Sequence, residues 1–127
     1  LLESLNAQRN ATLTARFSGR RPTRSQVTEV FDSLGLAGLE RRLPAQLSGG
    51  QQQRVAVARA LLAQAPYIFA DEPTGALDDA TASTVLSHLR TAARDGASVI
   101  MVTHSHLAAE AADRVISLEE VAHAGVA

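Results

Sequence analysis

Two stretches decide how this chain folds: Leu47-Ser48-Gly49-Gly50-Gln51-Gln52-Gln53-Arg54 and Tyr67-Ile68-Phe69-Ala70-Asp71-Glu72. In the first, Ser48 and Gln51 have capping-box spacing, so a helix starts at Ser48. Alanine, leucine and arginine carry that helix to Gln64, and Pro66 stops it. The second is a short apolar run without polar alternation, as in a strand buried on both faces, and it ends on two adjacent acids. A helix tip with unpaired amides, two glycines and a serine hydroxyl can receive a phosphate. Adjacent acids at a strand end need water or a cation.

Working outward, Thr23 and Gln26 form another capping box. Val27, Val30, Phe31 and Leu34 make a helical stripe, and Gly35 suits a left-handed stop. Residues 1–22 read mostly as loop, with a short apolar segment around Leu13–Phe17. Residues 36–47 read as short connections, because Pro44 blocks a long helix. Beyond the acids, Ala82, Val85, Leu86, Leu89 and Ala93 predict a helix over Asp79–Arg94, stopped by Gly96. Ser98–Val102 is a second buried strand ending at Thr103-His104. A short helix near Leu107–Ala112 and a third strand, Arg114–Leu118, complete the pattern. Alternating strands and helices imply a parallel sheet, with ligands beyond the carboxyl ends of its strands. Asp71, Glu72 and His104 share that rim.

Composition narrows the function. The chain has 127 residues, 46% of them hydrophobic, so it can build a packed core. The net charge of −1 gives no global attraction to nucleic acid or anionic lipid. Arg16, Arg20, Arg21 and Arg24 form a basic cluster, but aromatics are only 3% and none interleave with it, so it reads as a solvated face. The absence of cysteine excludes disulfides and thiolate metal sites. No apolar stretch is long enough to span a bilayer, and no signal peptide is read at the N-terminus. All 12 basic residues are arginine. With no lysine, no G-x-x-x-x-G-K-[ST] phosphate loop exists within these residues.

The chain resembles the nucleotide-binding domain of ATP-binding cassette (ABC) ATPases. Four stretches carry the resemblance in order: Leu47–Arg54 (signature motif), Tyr67–Glu72 (Walker B), Gly75-Ala76-Leu77-Asp78 (D-loop) and Val102-Thr103-His104 (H-loop). The wording Ala70–Asp78 is similar to the branch of lipoprotein and macrolide exporters. Leu1–Ala7 is similar to the segment following the family's Q-loop glutamine. Ser105 departs from the aspartate often found after the family's histidine.

The resemblance implies an incomplete RecA-like core of P-loop NTPase type, with a parallel sheet and an ABC α-helical subdomain. Residues 1–66 would be that subdomain, ending in the signature helix; residues 67–127 would be the back half of the core. It implies that Ser48, Gly49, Gly50 and Gln51 meet the γ-phosphate of ATP seated on another protomer. Asp71 would hold Mg²⁺ through water, Glu72 would be the general base, and His104 would contact the γ-phosphate. Asp78, read on its own as a helix N-cap, would also reach the partner's P-loop. Taken singly, each feature also has a bland reading: an N-cap, a solvated acidic turn, a hydrogen-bonding histidine. Arg54 and Gln51 could simply stabilise their helix, and His88, His106 and His123 read as structural.

The implied function is ATP hydrolysis coupled to transmembrane export. The implied partners are a second nucleotide-binding domain, as homodimer or heterodimer, and a transmembrane permease subunit, with no nucleic acid. The place would be cytoplasmic, peripheral at the inner face of the plasma membrane. The P-loop and its strand should lie before Leu1, with that strand between those at 98–102 and 114–118. The chain by itself would then be inactive, a fragment with an open slot in its sheet and exposed apolar side chains. Two alternatives stand beside this: a non-catalytic module lending its signature face to a complete partner, and a non-transport ABC ATPase. The compact spacing from Ser48 to Asp71 disfavours the DNA-repair type.

Overall fold

The computed structural model describes residues 1–118. Its elements run α1 (Ala7–Phe17), α2 (Arg24–Ser33), a 3₁₀ turn (Pro44–Gln46), α3 (Gly49–Ala63), β1 (Tyr67–Asp71), α4 (Asp79–Arg94), β2 (Ser98–Val102) and α5 (His106–Glu110). Both capping boxes form: Thr23 with Gln26 opens α2, and Ser48 with Gln51 opens α3. Gly35 closes α2 at a φ of 65°, the left-handed region that glycine enters at little cost. Gln64 rather than Pro66 makes the stop of α3, at a φ of 47°. α4 has the bounds its apolar stripe predicts, with Ala82, Val85, Leu86 and Leu89 buried.

α1 corrects the expectation of a loop over residues 1–22. Asn6 caps it by accepting from the Arg9 amide at 2.8 Å. Its buried stripe is Ala7, Ala11 and Ala15, at i, i+4 and i+8. Methyl groups make a weak hydrophobic signal, but they allow two helices to approach closely, and α1 packs chiefly on α3. Asn10 is fully buried in that contact. Its Oδ1 accepts from the Leu2 amide at 2.8 Å and from Arg59 Nη2 at 3.0 Å. Its Nδ2 donates to the carbonyls of Leu2 and Leu5. A buried amide with both ends satisfied specifies the packing without the penalty of an orphaned polar group.

β1 and β2 pair in parallel, with Tyr67 opposite Ser98, Phe69 opposite Ile100 and Asp71 opposite Val102. The period of two puts those six residues on one face. The other face joins the core through Ile68, which is buried, and Val99. The expectation of burial on both faces is corrected: Tyr67, Phe69, Ile100 and Val102 are all exposed, Phe69 by 75%. This agrees with the expected exposure of apolar side chains. The third strand is also corrected. Residues 114–117 carry no regular structure, and Val115 and Ile116 are exposed. A strand requires a hydrogen-bonded neighbour, and among the described residues the sheet has only two strands. His123 and the rest of 119–127 lie outside the described residues.

The largest fully buried side chains are Phe31, Leu36, Val55, Val85, Asn10 and Pro44, and all but Val85 belong to residues 1–66. The core is therefore centred where α1 and α2 pack on α3. Ile68, Val85 and Leu89 extend it beneath the sheet.

Candidate functional site

The site is built from the tip of α3, the turn after β1 and the end of β2. At the tip, Ser48 Oγ accepts from the Gln51 amide at 3.1 Å, and Gln51 Oε1 accepts from the Ser48 amide at 2.8 Å. Gln51 therefore holds Ser48 in place. The amides of Gly49 and Gly50, first-turn donors of α3, have no intrahelical acceptor. The two glycines differ. A Cβ on Gly49 would meet nothing within 4 Å. A Cβ on Gly50 would lie 3.1 Å from the Ala76 carbonyl oxygen and 3.2 Å from Leu77 Cδ2. Gly50 is small because α3 abuts the turn after β1, whereas packing among the described residues leaves Gly49 unconstrained.

β1 ends at Asp71, and Glu72 then takes a left-handed φ of 45°, uncommon for a side chain with a Cβ. Its amide donates to the Val102 carbonyl at 2.8 Å, continuing the ladder by one bond. Its carboxylate turns toward the end of β2: Thr103 Oγ1 donates to Oε2 at 3.1 Å, and the His104 amide donates to Oε1 at 2.9 Å. The His104 ring is fully exposed, with Nε2 3.9 Å from Glu72 Oε1. The fold thus brings Glu72 and His104 together. Asp71, on the exposed sheet face, is not joined to them by any hydrogen bond among the described residues.

Asp78 caps α4. Its Oδ1 accepts from the Thr81 amide at 3.0 Å and its Oδ2 from Thr81 Oγ1 at 2.8 Å. Those bonds, the backbone one foremost, hold its carboxyl below the ordinary aspartate value. Arg54 donates through Nε to the Gly50 carbonyl at 3.3 Å in the tip itself and through Nη1 to the carbonyls of Leu34 at 2.9 Å and Gly35 at 3.3 Å, bracing the end of α2 against α3. His88 Nε2 lies 3.4 Å from the Ser33 carbonyl, in keeping with a structural reading. Arg16, Arg20, Arg21 and Arg24 are exposed.

Two residues near the acid pair escaped the motif reading. The Thr103 hydroxyl donates to Glu72 and accepts from the Ser105 amide at 3.0 Å. Gln53 donates through Nε2 to the Glu72 carbonyl and accepts through Oε1 from the Ala76 amide at 3.0 Å. Its partners are backbone atoms 19 and 23 residues away, so no side-chain pattern could announce them.

The donor set bears on a metal. Among the described residues no three His, Cys, Asp or Glu side chains cluster as metal ligands. A closed protein cage for a cation is thus not formed. Mg²⁺ in nucleotide sites keeps several waters and takes one or two carboxylates beside the substrate's phosphates, so the exposed Asp71 carboxylate fits that ion.

Comparison with known proteins follows the same lines. The family described as ABC transporter matches residues 1–75. The chain is 43% identical over 122 residues to the macrolide export ATP-binding/permease protein MacB of Mannheimia succiniciproducens. It is 46% identical over 122 residues to that of Rhodopseudomonas palustris. Each match covers 94% of the chain and 19% of the relative, so the chain spans about a fifth of those proteins. Among solved structures, the dimeric post-hydrolysis cassette MJ0796 bound to ADP and Pi superposes with a TM-score of 0.78 at 37% identity. That match covers 87% of this chain and 51% of the cassette. No helix among the described residues is long and apolar enough to cross a membrane.

Proposed function

The chain belongs to the ABC transporter family, and on that premise we propose that it supplies the signature helix and the acid-bearing strand of an ATP-hydrolysing cassette whose P-loop is contributed by residues outside these 127. One observation carries the reading. Glu72, at the end of β1, holds its carboxylate against Thr103 and His104 at the end of β2, on the sheet rim where such folds bind ligands.

In this reading, the amides of Gly49 and Gly50 and the hydroxyl of Ser48 receive the γ-phosphate of an ATP seated on a second domain. The post-hydrolysis MJ0796 cassette, a dimer bound to ADP and Pi, supports that arrangement. Gly49 matters because nothing among the described residues requires its small size, while close approach of a phosphate does. Gln51 keeps Ser48 oriented. Glu72 takes the proton of the attacking water. A carboxylate has about four acceptor positions, and the two bonds to Thr103 and His104 occupy one on each oxygen, leaving room for the water. His104, exposed beside Glu72, touches the γ-phosphate or orients that water. Asp71 would hold Mg²⁺ through water, and the ion when bound would supply positive charge beside the phosphates. Asp78 keeps its cap and reaches across to the partner's P-loop. Residues 1–66 act as the helical subdomain and 67–127 as the back half of the catalytic core.

The relatives are named as macrolide export ATP-binding/permease proteins. We extend that to coupling with a membrane-spanning permease, which places the domain at the inner face of the plasma membrane. The test is kinetic. In a whole domain with a P-loop half restored, Glu72→Gln keeps ATP binding and lowers turnover by about 10²-fold or more. Normal turnover would remove Glu72 from the mechanism. The 127-residue chain alone shows no Mg·ATP hydrolysis above background; Glu72-dependent turnover would overturn the need for a separate P-loop half.

A further inference from the structure

The geometry points to Gln53 as a positioning residue that ties the backbone of Glu72, and the turn after it, to the signature helix. The inference rests on the role given to Glu72 above.

Glu72 occupies a left-handed φ that its surroundings must hold in place. On one side the hold comes from β2, through the Val102 carbonyl, Thr103 Oγ1 and the His104 amide. On the other it comes from α3 through a single side chain. Gln53 Nε2 donates to the Glu72 carbonyl, and Gln53 Oε1 accepts from the Ala76 amide at 3.0 Å. One amide group thus spans the two ends of the turn 72–76, which also closes on itself through the Gly75 amide and the Glu72 carbonyl at 3.1 Å. Gly50, one turn earlier on the helix, faces that same turn so closely that a Cβ there would lie 3.1 Å from the Ala76 carbonyl oxygen.

Gly49 and Gln53 are four residues apart and share a face of α3. The glycine meets phosphate in the proposed function, and the glutamine meets the acid's backbone. A helix transmits displacement as a rigid rod, so a shift of the tip moves the Glu72 carbonyl with it. Gln53 touches neither substrate nor reacting atoms; it acts by fixing where the Glu72 carboxylate points.

Two substitutions separate the halves of the contact. Gln53→Ala removes both bonds. Gln53→Glu retains an acceptor for the Ala76 amide and has no donor for the Glu72 carbonyl. In the 127-residue chain, amide hydrogen exchange of Ala76 should quicken about tenfold in Gln53→Ala and stay near wild type in Gln53→Glu, with the amides of β1 unchanged. Unchanged exchange at Ala76 in Gln53→Ala would overturn the inference without reference to ATP. In the restored domain, both variants should lower kcat about tenfold while leaving KM for ATP within about twofold. Wild-type kcat in both variants, or an equal loss in kcat and ATP affinity accompanied by a lowered Tm, would also overturn it. If Glu72→Gln itself leaves turnover normal, the proposed function falls, and the exchange result alone decides whether Gln53 holds the turn.

Discussion

The helical half of this molecule and its sheet half achieve order differently. In residues 1–66, α1 and α2 cover α3, and the side chains that bind them together belong to that same segment: Ala7, Ala11, Phe31, Leu36 and Val55, all fully buried. Even its buried polar side chains find partners there, Asn10 in Arg59 and Thr12 in the Gln8 carbonyl. The sheet half leaves a whole face uncovered, with Tyr67, Phe69, Ile100 and Val102 exposed. What order it has at the rim comes from hydrogen bonds: Thr103 and His104 to Glu72, Gln53 to the turn, Thr81 to Asp78. Burial makes the first half a scaffold. Hydrogen bonding at the second half's edge orders the rim while leaving Asp71, Asp78 and His104 exposed.

The largest expected effect opposes two phenylalanines. Phe31 is fully buried in the helical half and Phe69 is 75% exposed on the sheet. In urea unfolding, Phe31→Ala should cost about 3–5 kcal/mol, and Phe69→Ala should change stability by no more than about 0.5 kcal/mol. Similar losses for the two would mean that the sheet face is covered in solution, and the contrast between the halves would collapse.

A smaller effect lies where the halves meet. Gly50→Ala pushes a methyl against the Ala76 carbonyl and should destabilise by about 1–3 kcal/mol. Gly49→Ala, with open space around the new methyl, should be neutral within about 0.5 kcal/mol. The order reverses in function: a restored domain carrying Gly49→Ala folds normally and loses ATP turnover. Equal stability loss for both would remove the distinction between a packing glycine and a ligand-facing one.

The smallest effect is the acid response of the rim. Asp78 has its carboxyl lowered in the folded chain, so its cap contributes fully above the ordinary aspartate value and is lost as pH falls through the lowered one. Asp78→Asn keeps an acceptor for the Thr81 amide and removes the titration. The Tm of the native chain should therefore exceed that of the variant at neutral pH, and the gap should close below about pH 4. A gap that persists to pH 2 would assign the difference to something other than the cap's charge.

Much of the fold was legible because it is written within a few residues of itself. The capping boxes at Thr23 and Ser48 and the stripe of α4 were each readable in place. Much of the candidate site was legible too, because Ser48, Asp71, Glu72 and His104 sit in recognisable wording. Its internal wiring was not. Arg54 sits inside the signature stretch and yet braces α2, since its guanidinium meets carbonyls 19 and 20 residues back.

The order of residues by itself determined the caps of α2, α3 and α4, the segments of β1 and β2 and the family, because each is written in neighbouring residues. Only the tertiary structure decided that a stripe of alanines makes α1 a helix, through close packing on α3. It alone decided that Arg114–Leu118 lacks a strand, for want of a paired neighbour among the described residues, and that Gln53 grips the acid's backbone. Those outcomes belong to contacts between distant segments, and no local pattern encodes a partner that the chain meets only after it has folded.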